Sequence, residues 1–385
     1  MMKYLRPSLL EATRSQSFDA FCNNFALVLN SFEMDAGGRY NSVARLAKYQ
    51  NMPELLQIWF AFADVVGKDI LGKSKELTDM QYIEQHATNY RNQTPLLATQ
   101  PNGKRGITSI IVPQSDAQAK QVRIFRRILD FFQNMTPMLK REYSYIPLLV
   151  YGMANRATVD LRLLPPTLSN KLDRLDRDDT DLFAMNRMND AGNSKLDYCV
   201  ENAYRLYLHG DEDGETALQM IFCDRYRLVI EDYSQFDANG APVQVEAFNV
   251  YAELKRKLIE KGVPAHEIVL MTDINTDKKR EDAFERAVAG EIAFLIGSTE
   301  KMGVGVNVQN RLLALHHIDA PVRPMDFAQR NGRIIRQGNR NPVVQIFTYG
   351  IEKTLDAVSY GRLEVKQKFI HQVMSGVPHR TKHRR

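Results

Sequence analysis

A stretch near the carboxyl end of the chain combines two short apolar runs with a loop of small residues between them. The first run, Ile292 to Ile296, is short enough for a buried strand, and the second, Leu312 to Ile318, predicts the next strand. Gly303 and Gly305 lie in the loop, and glycine lets the backbone come close to a ligand or to another loop. The stretch therefore predicts a strand–loop–strand unit whose loop approaches a ligand.

The segment after the second predicted strand reads QRNGRIIRQGN and contains several arginines. If Pro324 to Ile335 is helical, Arg333 and Arg336 lie three residues apart and share one face. Two guanidinium groups that face the same way suit a polyphosphate, because each presents a planar fork of donors to anionic oxygens. A solvated basic helix is the alternative interpretation of two arginines alone.

Apolar runs of strand length alternate with segments of helical periodicity throughout residues 194–374. The predicted strands cover residues 217–224, 268–272, 292–296, 312–318 and 343–349. The predicted helices cover residues 196–209, 277–289 and 352–374, with a further helix that begins at Val250 and ends at Gly262. This alternation predicts an α/β lobe with a parallel sheet flanked by helices. In such sheets ligands gather at the carboxyl ends of the strands, where residues 297–305 would lie.

The first part of the chain has a different pattern. Residues 14–66 predict mostly helix, because apolar residues recur at helical spacing, namely Phe18, Phe21, Phe25, Val28, Leu29 and Phe32. Residues 165–195 contain a charged run and predict a linker. We therefore divide the chain into a mostly helical region (1–110), a helical segment with a charged linker (111–193), the α/β lobe (194–374) and a basic tail (375–385).

Composition excludes several classes of protein. Hydrophobic residues make up 44% and charged residues 25% of the 385 residues, which is typical of a globular protein, and the net charge of +5 permits nucleic-acid binding. Cys22, Cys199 and Cys223 are far apart in sequence, so we expect no zinc site, no disulfide framework and a cytoplasmic location. No apolar run reaches the length of a membrane span, so we expect no membrane partner.

Residues 67–74 read GKDILGKS and match the phosphate-binding pattern Gly-x4-Gly-Lys-Ser. A working P-loop follows a buried strand and opens a helix, so that successive backbone N–H groups surround the phosphates. The preceding run LLQIWFAFADVV has helical spacing and follows Pro53, which argues against that context. An independent P-loop kinase or ATPase that uses Lys73 is therefore the weakest of the functions considered.

The order of strand, loop, strand and arginine segment resembles the second RecA-like lobe of superfamily 2 (DEAD/DEAH-type) helicases. Residues 298–305 resemble motif V and residues 329–336 resemble motif VI, while residues 336–339 are similar to the Swi/Snf-like branch. Longer stretches of residues 14–374 resemble the C-terminal half of helicase–methylase proteins of phages and conjugative elements, which are mobile genetic elements.

The resemblance implies a role for each candidate site residue. Arg333 and Arg336 would be catalytic arginine fingers that stabilise charge on the transferring phosphoryl group. The residues expected to bind the nucleotide are Gln329, Gly303, Gly305 and Asn307. The residues expected to bind nucleic acid are Ser298, Thr299, Arg311 and Arg330. Asp319 is either a loop cap or a site residue, and His316 and His317 are expected in the core.

The resemblance also implies ATP with Mg²⁺ as the cofactor, DNA as a partner and a second protein lobe. The sequence has no convincing P-loop lobe, no Asp-Glu-x-His box and no methylase motif. The expected function is the second lobe of an ATP-dependent DNA helicase or translocase, a hydrolase whose first RecA-like lobe is in a separate chain or in a missing N-terminal half. The alternative is a non-catalytic nucleic-acid-binding or docking remnant of such an enzyme.

Overall fold

The structure is a computed structural model that describes residues 7–60, 90–100, 102–168, 172, 175, 181–189, 192–210, 216–237, 241–302 and 308–375. The chain divides into two compact units. The first unit comprises Met1–Glu33, Tyr40–Thr78 and Tyr360–Arg385, and the second comprises Met34–Arg39 and Asp79–Ser359.

Helices and strands alternate over most of the described chain. The helices are α1 (Pro7–Ala12), α2 (Phe18–Phe25), α3 (Met52–Phe60), α4 (Asp116–Gln133), α5 (Pro137–Glu142), α6 (Ile146–Ala157), α7 (Lys195–His209), α8 (Val250–Lys261), α9 (Asp277–Ala289), α10 (Thr299–Met302), α11 (Pro324–Asn331) and α12 (Leu355–Ser375). The strands are β1 (Ala26–Met34), β2 (Tyr40–Tyr49), β3 (Leu96–Leu97), β4 (Thr108–Val112), β5 (Leu218–Phe222), β6 (Arg227–Phe236), β7 (Pro242–Asn249), β8 (Ile268–Leu270), β9 (Phe294–Gly297), β10 (Leu312–His317) and β11 (Val343–Ile351).

The first unit contains a small two-stranded sheet and a small core. Helix α2 begins after Ser17, whose side chain accepts a hydrogen bond from the backbone N–H of Ala20 at 3.1 Å. The chain then passes directly into β1, which pairs with β2. Phe25, Leu55 and Ile58 are buried together and form the core of this unit.

The prediction of mostly helical structure over residues 14–66 is wrong for residues 26–49. Phe25 is buried, but Phe18 and Phe32, expected on the same stripe, are 80% and 78% exposed. Val28 and Leu29 lie on β1 and are about half exposed, so they do not form a buried helical face. Apolar residues at helical spacing do not exclude a strand when a second strand is available to pair with it.

A parallel sheet forms the centre of the second unit. Its strands follow the order β11-β10-β5-β9-β8, and β3 and β4 both pair with the outer edge of β11. Every ladder in this sheet is parallel. The register of β10 with its two neighbours places His316 between Ile221 of β5 and Phe347 of β11. The α/β fold class with a mainly parallel sheet flanked by helices is confirmed. The sequence pattern did not predict that β3 and β4 would extend the sheet.

Alternate residues of each strand pack on opposite faces of the sheet. On β5, Met220 and Phe222 face a core that includes Ala287 of α9, whereas Ile221 faces a core that includes Cys199 of α7 and Leu254 of α8. Helix α8 ends as predicted at Gly262, whose φ of +109° suits glycine because that region is unfavourable for other residues. Helices therefore cover both faces, as strands of a parallel sheet require.

Two further parts of the second unit lie outside the sheet. The region expected as an insertion at residues 225–247 forms the antiparallel hairpin β6–β7. The expected linker at residues 165–195 is not a solvated segment in its described part. Leu168, Phe183 and Met185 are buried against α4 and α6, because their apolar side chains complete the core of that helical layer. No helix in the described part of the chain is long and apolar enough to cross a membrane.

A buried ion pair connects the start of α7 with the start of α12. Lys195 lies between Ser194 and Asp197, which form the capping box of α7, and it is fully buried. Its Nζ donates to Asp356 Oδ2 at 2.6 Å and to the backbone oxygen of Ile318 at 3.2 Å. The same carboxylate oxygen accepts the N–H of Ile351 at 2.9 Å. The pair therefore holds two helices against the ends of β10 and β11.

We expect Lys195→Met to lower the free energy of unfolding by about 3–5 kcal/mol, because it leaves the carboxylate of Asp356 buried without its cation. Urea denaturation followed by circular dichroism measures this change. Lys261→Met is the matched control, since Lys261 pairs with Glu201 at 2.6 Å but both side chains are exposed. The control should lose much less, because an exposed ion pair contributes little to stability. Equal losses in the two variants would contradict a special role for the buried pair.

Candidate functional site

An open cleft of about 460 Å³ lies at the carboxyl ends of β5, β8 and β9. Its wall is built from the residues that follow these strands and from the first turns of α11. The lining residues are Asp224, Tyr226, Tyr251, Met271, Thr272, Gly297, Ser298, Thr299, Glu300, Lys301, Arg323, Asp326 and Gln329. This is the sheet edge at which the sequence pattern predicts a ligand.

Arg330 lies on α11, and its guanidinium group contacts the residues that follow the strands at this edge of the sheet. Arg330 is fully buried, and its Nη2 pairs with Asp224 Oδ2 at 2.7 Å and with Asp319 Oδ1 at 3.3 Å. Its Nε donates to Thr299 Oγ1 at 2.8 Å, and its Nη1 donates to the backbone oxygen of Asp319 at 3.1 Å. The ring of Phe222 lies 5.2 Å below the guanidinium carbon. One cation therefore joins the ends of β5, β9 and β10 to α11.

Asp224 and Asp319 each make a second set of contacts. Asp224 Oδ1 accepts the N–H of Thr299 at 2.7 Å, which positions the loop after β9. Asp319 Oδ2 accepts the N–H groups of Asp224 and Arg225 at 2.9 and 3.0 Å. Asp319 is therefore a loop cap, one of its two predicted roles, and it also pairs with Arg330.

The two histidines of β10 are buried in the core, as predicted. His316 Nε2 donates to Gln219 Oε1 at 3.0 Å, because the amide nitrogen of Gln219 already donates to Ala203, and Nδ1 accepts from the Tyr349 hydroxyl at 2.8 Å. Burial lowers the pKa of His316 to about 3. Burial, followed by the charge of Arg330, lowers the pKa of His317 well below its ordinary value. Both imidazoles are therefore neutral structural groups near neutral pH.

The predicted site residues do not all lie together. Ser298, Thr299 and Gln329 line the cleft. Arg330 and Arg311 are buried, at 0% and 7% exposure, so the expected contact of these two arginines with nucleic acid is corrected. Carboxylates surround the guanidinium of Arg330, and Arg311 Nη2 donates to the backbone oxygen of Thr216 at 3.0 Å. Their roles here are structural. The predicted residues Gly303, Gly305 and Asn307 lie outside the described residues.

Arg333 and Arg336 lie after the helix and not within it. The predicted helix Pro324 to Ile335 is too long, because α11 ends at Asn331 and residues 332–338 form turns. Ile334 is fully buried, which draws the chain toward the sheet and away from a helical path. Arg333 is half-buried and Arg336 is exposed. Burial, followed by the charge of Arg336, lowers the pKa of Arg333, so the two charges act on each other.

Asn339 anchors this turn to the beginning of β10. Its side-chain nitrogen donates to the backbone oxygens of Leu312 at 2.8 Å and Ile334 at 3.3 Å. Gly338 precedes it with a φ of +87°, a conformation that other residues rarely adopt. Asn331, at the other end of the turn, bonds to His317 at the carboxyl end of β10 at 2.8 Å. The turn that carries Arg333 and Arg336 is therefore anchored at both ends of β10.

Several side chains that line the cleft were not expected there from the sequence. Arg323 forms two hydrogen bonds of 2.9 Å with Asp326, and the rings of Tyr226 and Tyr251 stack with their centroids 4.3 Å apart. The position of Asp224 directly after a buried apolar run was a signal for that residue. The cleft thus offers cations, carboxylates, hydroxyls and an aromatic wall. Among the described residues, no group of three His, Cys, Asp or Glu side chains could hold a metal ion.

Removal of the buried guanidinium should destabilise the protein strongly. We expect Arg330→Met to lower the free energy of unfolding by about 3–5 kcal/mol, because Asp224 and Asp319 lose their shared cation. Arg330→Lys should recover only part of the loss, since one ammonium cannot reach Thr299 and both carboxylates in the same geometry. Arg323→Met, which breaks an ion pair whose arginine is 69% exposed, is the control in urea denaturation. A comparable loss in the control would refute the assignment.

The pKa of His316 predicts a pH dependence of stability. Between pH 6.5 and about 3 the unfolded chain binds a proton at this residue that the folded chain does not bind. The free energy of unfolding should therefore fall as pH falls, by up to about 1.4 kcal/mol per pH unit from this group. His316→Gln should show a shallower dependence in urea denaturation at a series of pH values. His266→Gln, at an exposed position, should keep the dependence of the parent protein.

The sequence matches no model of a known protein family, and no curated protein matches it significantly. The fold is similar to the C-terminal part of the Fun30 ATPase domain, with 11% identity and a TM-score of 0.43 over 72% of this chain and 90% of that one. It is also similar to the Pyrococcus furiosus Hef helicase domain, with 11% identity and a TM-score of 0.39 over 67% of this chain and 57% of that one. S. cerevisiae Dbp5 bound to RNA and ADP BeF3 matches with 19% identity and a TM-score of 0.30, over 46% of this chain and 37% of that one. These values are too low to assign a function.

Proposed function

We propose that the chain supplies the second lobe of an ATP-dependent DNA helicase or translocase of superfamily 2. The observation that carries the proposal is the pair Arg333 and Arg336, which lies on an anchored turn beside the parallel sheet and whose charges act on each other. These arginines would reach a nucleotide held mainly by a first lobe, in a longer chain or in a separate one. The cleft at the carboxyl edge would contact the nucleic acid.

The electrostatics of the arginine pair favour an anionic ligand. The surroundings of Arg333 disfavour its cationic form, as the direction of its pKa indicates, and an added negative group would reverse that effect. A triphosphate offers several anionic oxygens, and each planar guanidinium can donate to two of them. The anchoring of the turn at Asn331 and Asn339 supports the same conclusion, because an ordered donor loses less entropy when it binds.

Both arginines would act on charge that develops during phosphoryl transfer. Their N–H groups would donate to the oxygens of the transferring group and of the leaving diphosphate, where negative charge accumulates. A bound magnesium ion would neutralise part of the same charge. We assign its ligands to the first lobe, as the resemblance to helicases implies.

Arg330 supports a connection between the nucleotide and the nucleic acid. It is three residues from Arg333, and its guanidinium contacts Thr299 and Asp224, which line the cleft. Ser298 and Thr299 present hydroxyl groups there, and such groups hydrogen-bond to phosphate oxygens of a nucleic-acid backbone. A displacement of the arginine turn would therefore be transmitted to the cleft through a buried contact.

The finer assignments depend on sequence resemblance. Residues 336–339 favour the Swi/Snf-like branch, and the longer similarity favours the helicase–methylase proteins of phages and conjugative elements. The proposed nucleotide contacts of Gln329, Gly303, Gly305 and Asn307 depend on the same resemblance. We propose DNA as the nucleic acid and the cytoplasm as the location.

The arginine pair should be essential for turnover once a first lobe is supplied by fusion or as a separate chain. We expect Arg333→Lys and Arg336→Lys to lower DNA-stimulated phosphate release by about 10³- to 10⁵-fold, because lysine keeps the charge but loses the planar fork of donors. The affinity for ATP should change much less, since the contact strengthens in the transition state. The measurement is phosphate release with and without DNA, together with nucleotide binding.

Arg256→Lys is the matched control, because Arg256 is an exposed arginine of α8, which packs on the other face of the sheet from α9. It should keep the activity of the parent complex. Full activity of both finger variants would reject the catalytic assignment. If the chain then still bound DNA without supporting turnover, the alternative of a non-catalytic nucleic-acid-binding or docking module would be favoured.

A further inference from the structure

A second group of cations lies near the amino end of β10, away from the carboxyl-edge cleft. An open cavity of about 400 Å³ is lined there by Tyr90, Arg91, Val288, Gln309, Asn310, Gly338 and Arg340. Its volume falls in the range of pockets that bind small molecules.

Backbone hydrogen bonds hold the three segments of this cavity together. The N–H of Gly338 donates to the backbone oxygen of Tyr90 at 3.0 Å, and the N–H of Arg340 donates to that of Asn310 at 2.8 Å. Gln337 Nε2 also donates to the backbone oxygen of Asn92 at 3.1 Å. The backbone segments that border the cavity are therefore held together although they are far apart in sequence.

Two guanidinium groups converge on one phenol in this cavity. Arg91 and Arg340 both hydrogen-bond to the Tyr90 hydroxyl, and these bonds, with the charges of the two guanidinium groups, lower the pKa of Tyr90. Both arginines are exposed. Like charges repel each other when they converge in this way, so an anion placed between them would be stabilised.

We propose that Tyr90, Arg91 and Arg340 form a binding site for a compact phosphate-bearing anion, such as a free phosphate or the diphosphate of a nucleotide. The guanidinium groups provide charge-assisted donors, and the Tyr90 hydroxyl and the amide groups of Gln309 and Asn310 complete the set of donors. Both guanidinium groups line one cavity of about 400 Å³, and a cavity of that size favours a compact anion over a nucleic-acid strand. The inference concerns binding by this chain alone and does not rest on the helicase assignment.

Isothermal titration of the full chain with inorganic pyrophosphate tests the site. We expect saturable binding in the parent protein and a rise in Kd of about tenfold or more in Arg91→Gln and in Arg340→Gln, because each variant loses a charged donor. Tyr90→Phe should weaken binding by a smaller factor. Arg256→Gln, on α8, is the matched control and should bind like the parent.

Four outcomes would overturn the proposal. These are absence of binding to the parent protein, equal weakening in Arg256→Gln, a loss in Arg336→Gln without one in Arg91→Gln, and displacement of pyrophosphate by a single-stranded oligonucleotide but not by ADP. The third would place the anion at the proposed catalytic arginines. Since those arginines are tested by turnover with a first lobe present, failure of either proposal leaves the other open to its own test.

Discussion

The buried guanidinium of Arg330 is the contact on which the carboxyl edge of the sheet depends. A cation removed from water is stable only when anionic or polar groups replace its hydration, and here Asp224, Asp319 and Thr299 do so. These partners follow three different strands, so the arginine sets the relative positions of three loops. Asp224 is also part of the cleft wall. The interaction that stabilises the sheet edge therefore shapes the surface offered to a ligand.

The segment that follows Arg330 connects three features of the second unit. Gln329 lines the cleft, Arg333 and Arg336 lie on the anchored turn, and Arg340 borders the cavity near the amino end of β10. Asn339 fixes the path of this segment by donating to the backbone of Leu312 and Ile334. A single stretch of chain thus presents cations at several places along one strand. If a bound anion displaced this stretch, the contacts of Arg330 would transmit the displacement to the cleft.

The five strands predicted between residues 194 and 374 all occur, because each is a short apolar run bounded by polar residues or glycine. The candidate site was predicted less well. Arg311 and Arg330 were expected at a nucleic-acid surface, yet both are buried. The sequence does not show whether an arginine is paired, and one of the two carboxylates that pair with Arg330, that of Asp224, lies 106 residues earlier in the chain. Arg333 and Arg336 were placed on a helix that ends before them.

The sequence by itself determined the alternation of strands and helices over residues 194–374 and the spacing of the arginines, because these depend on patterns within a few neighbouring residues. The tertiary structure alone decided that β1 pairs with β2 and that β4 joins β11. It also decided that Arg330 is buried and that Tyr90 meets Arg340. The physical reason is that strand pairing, burial and the balance of charge arise from contacts between distant segments, which local periodicity does not encode.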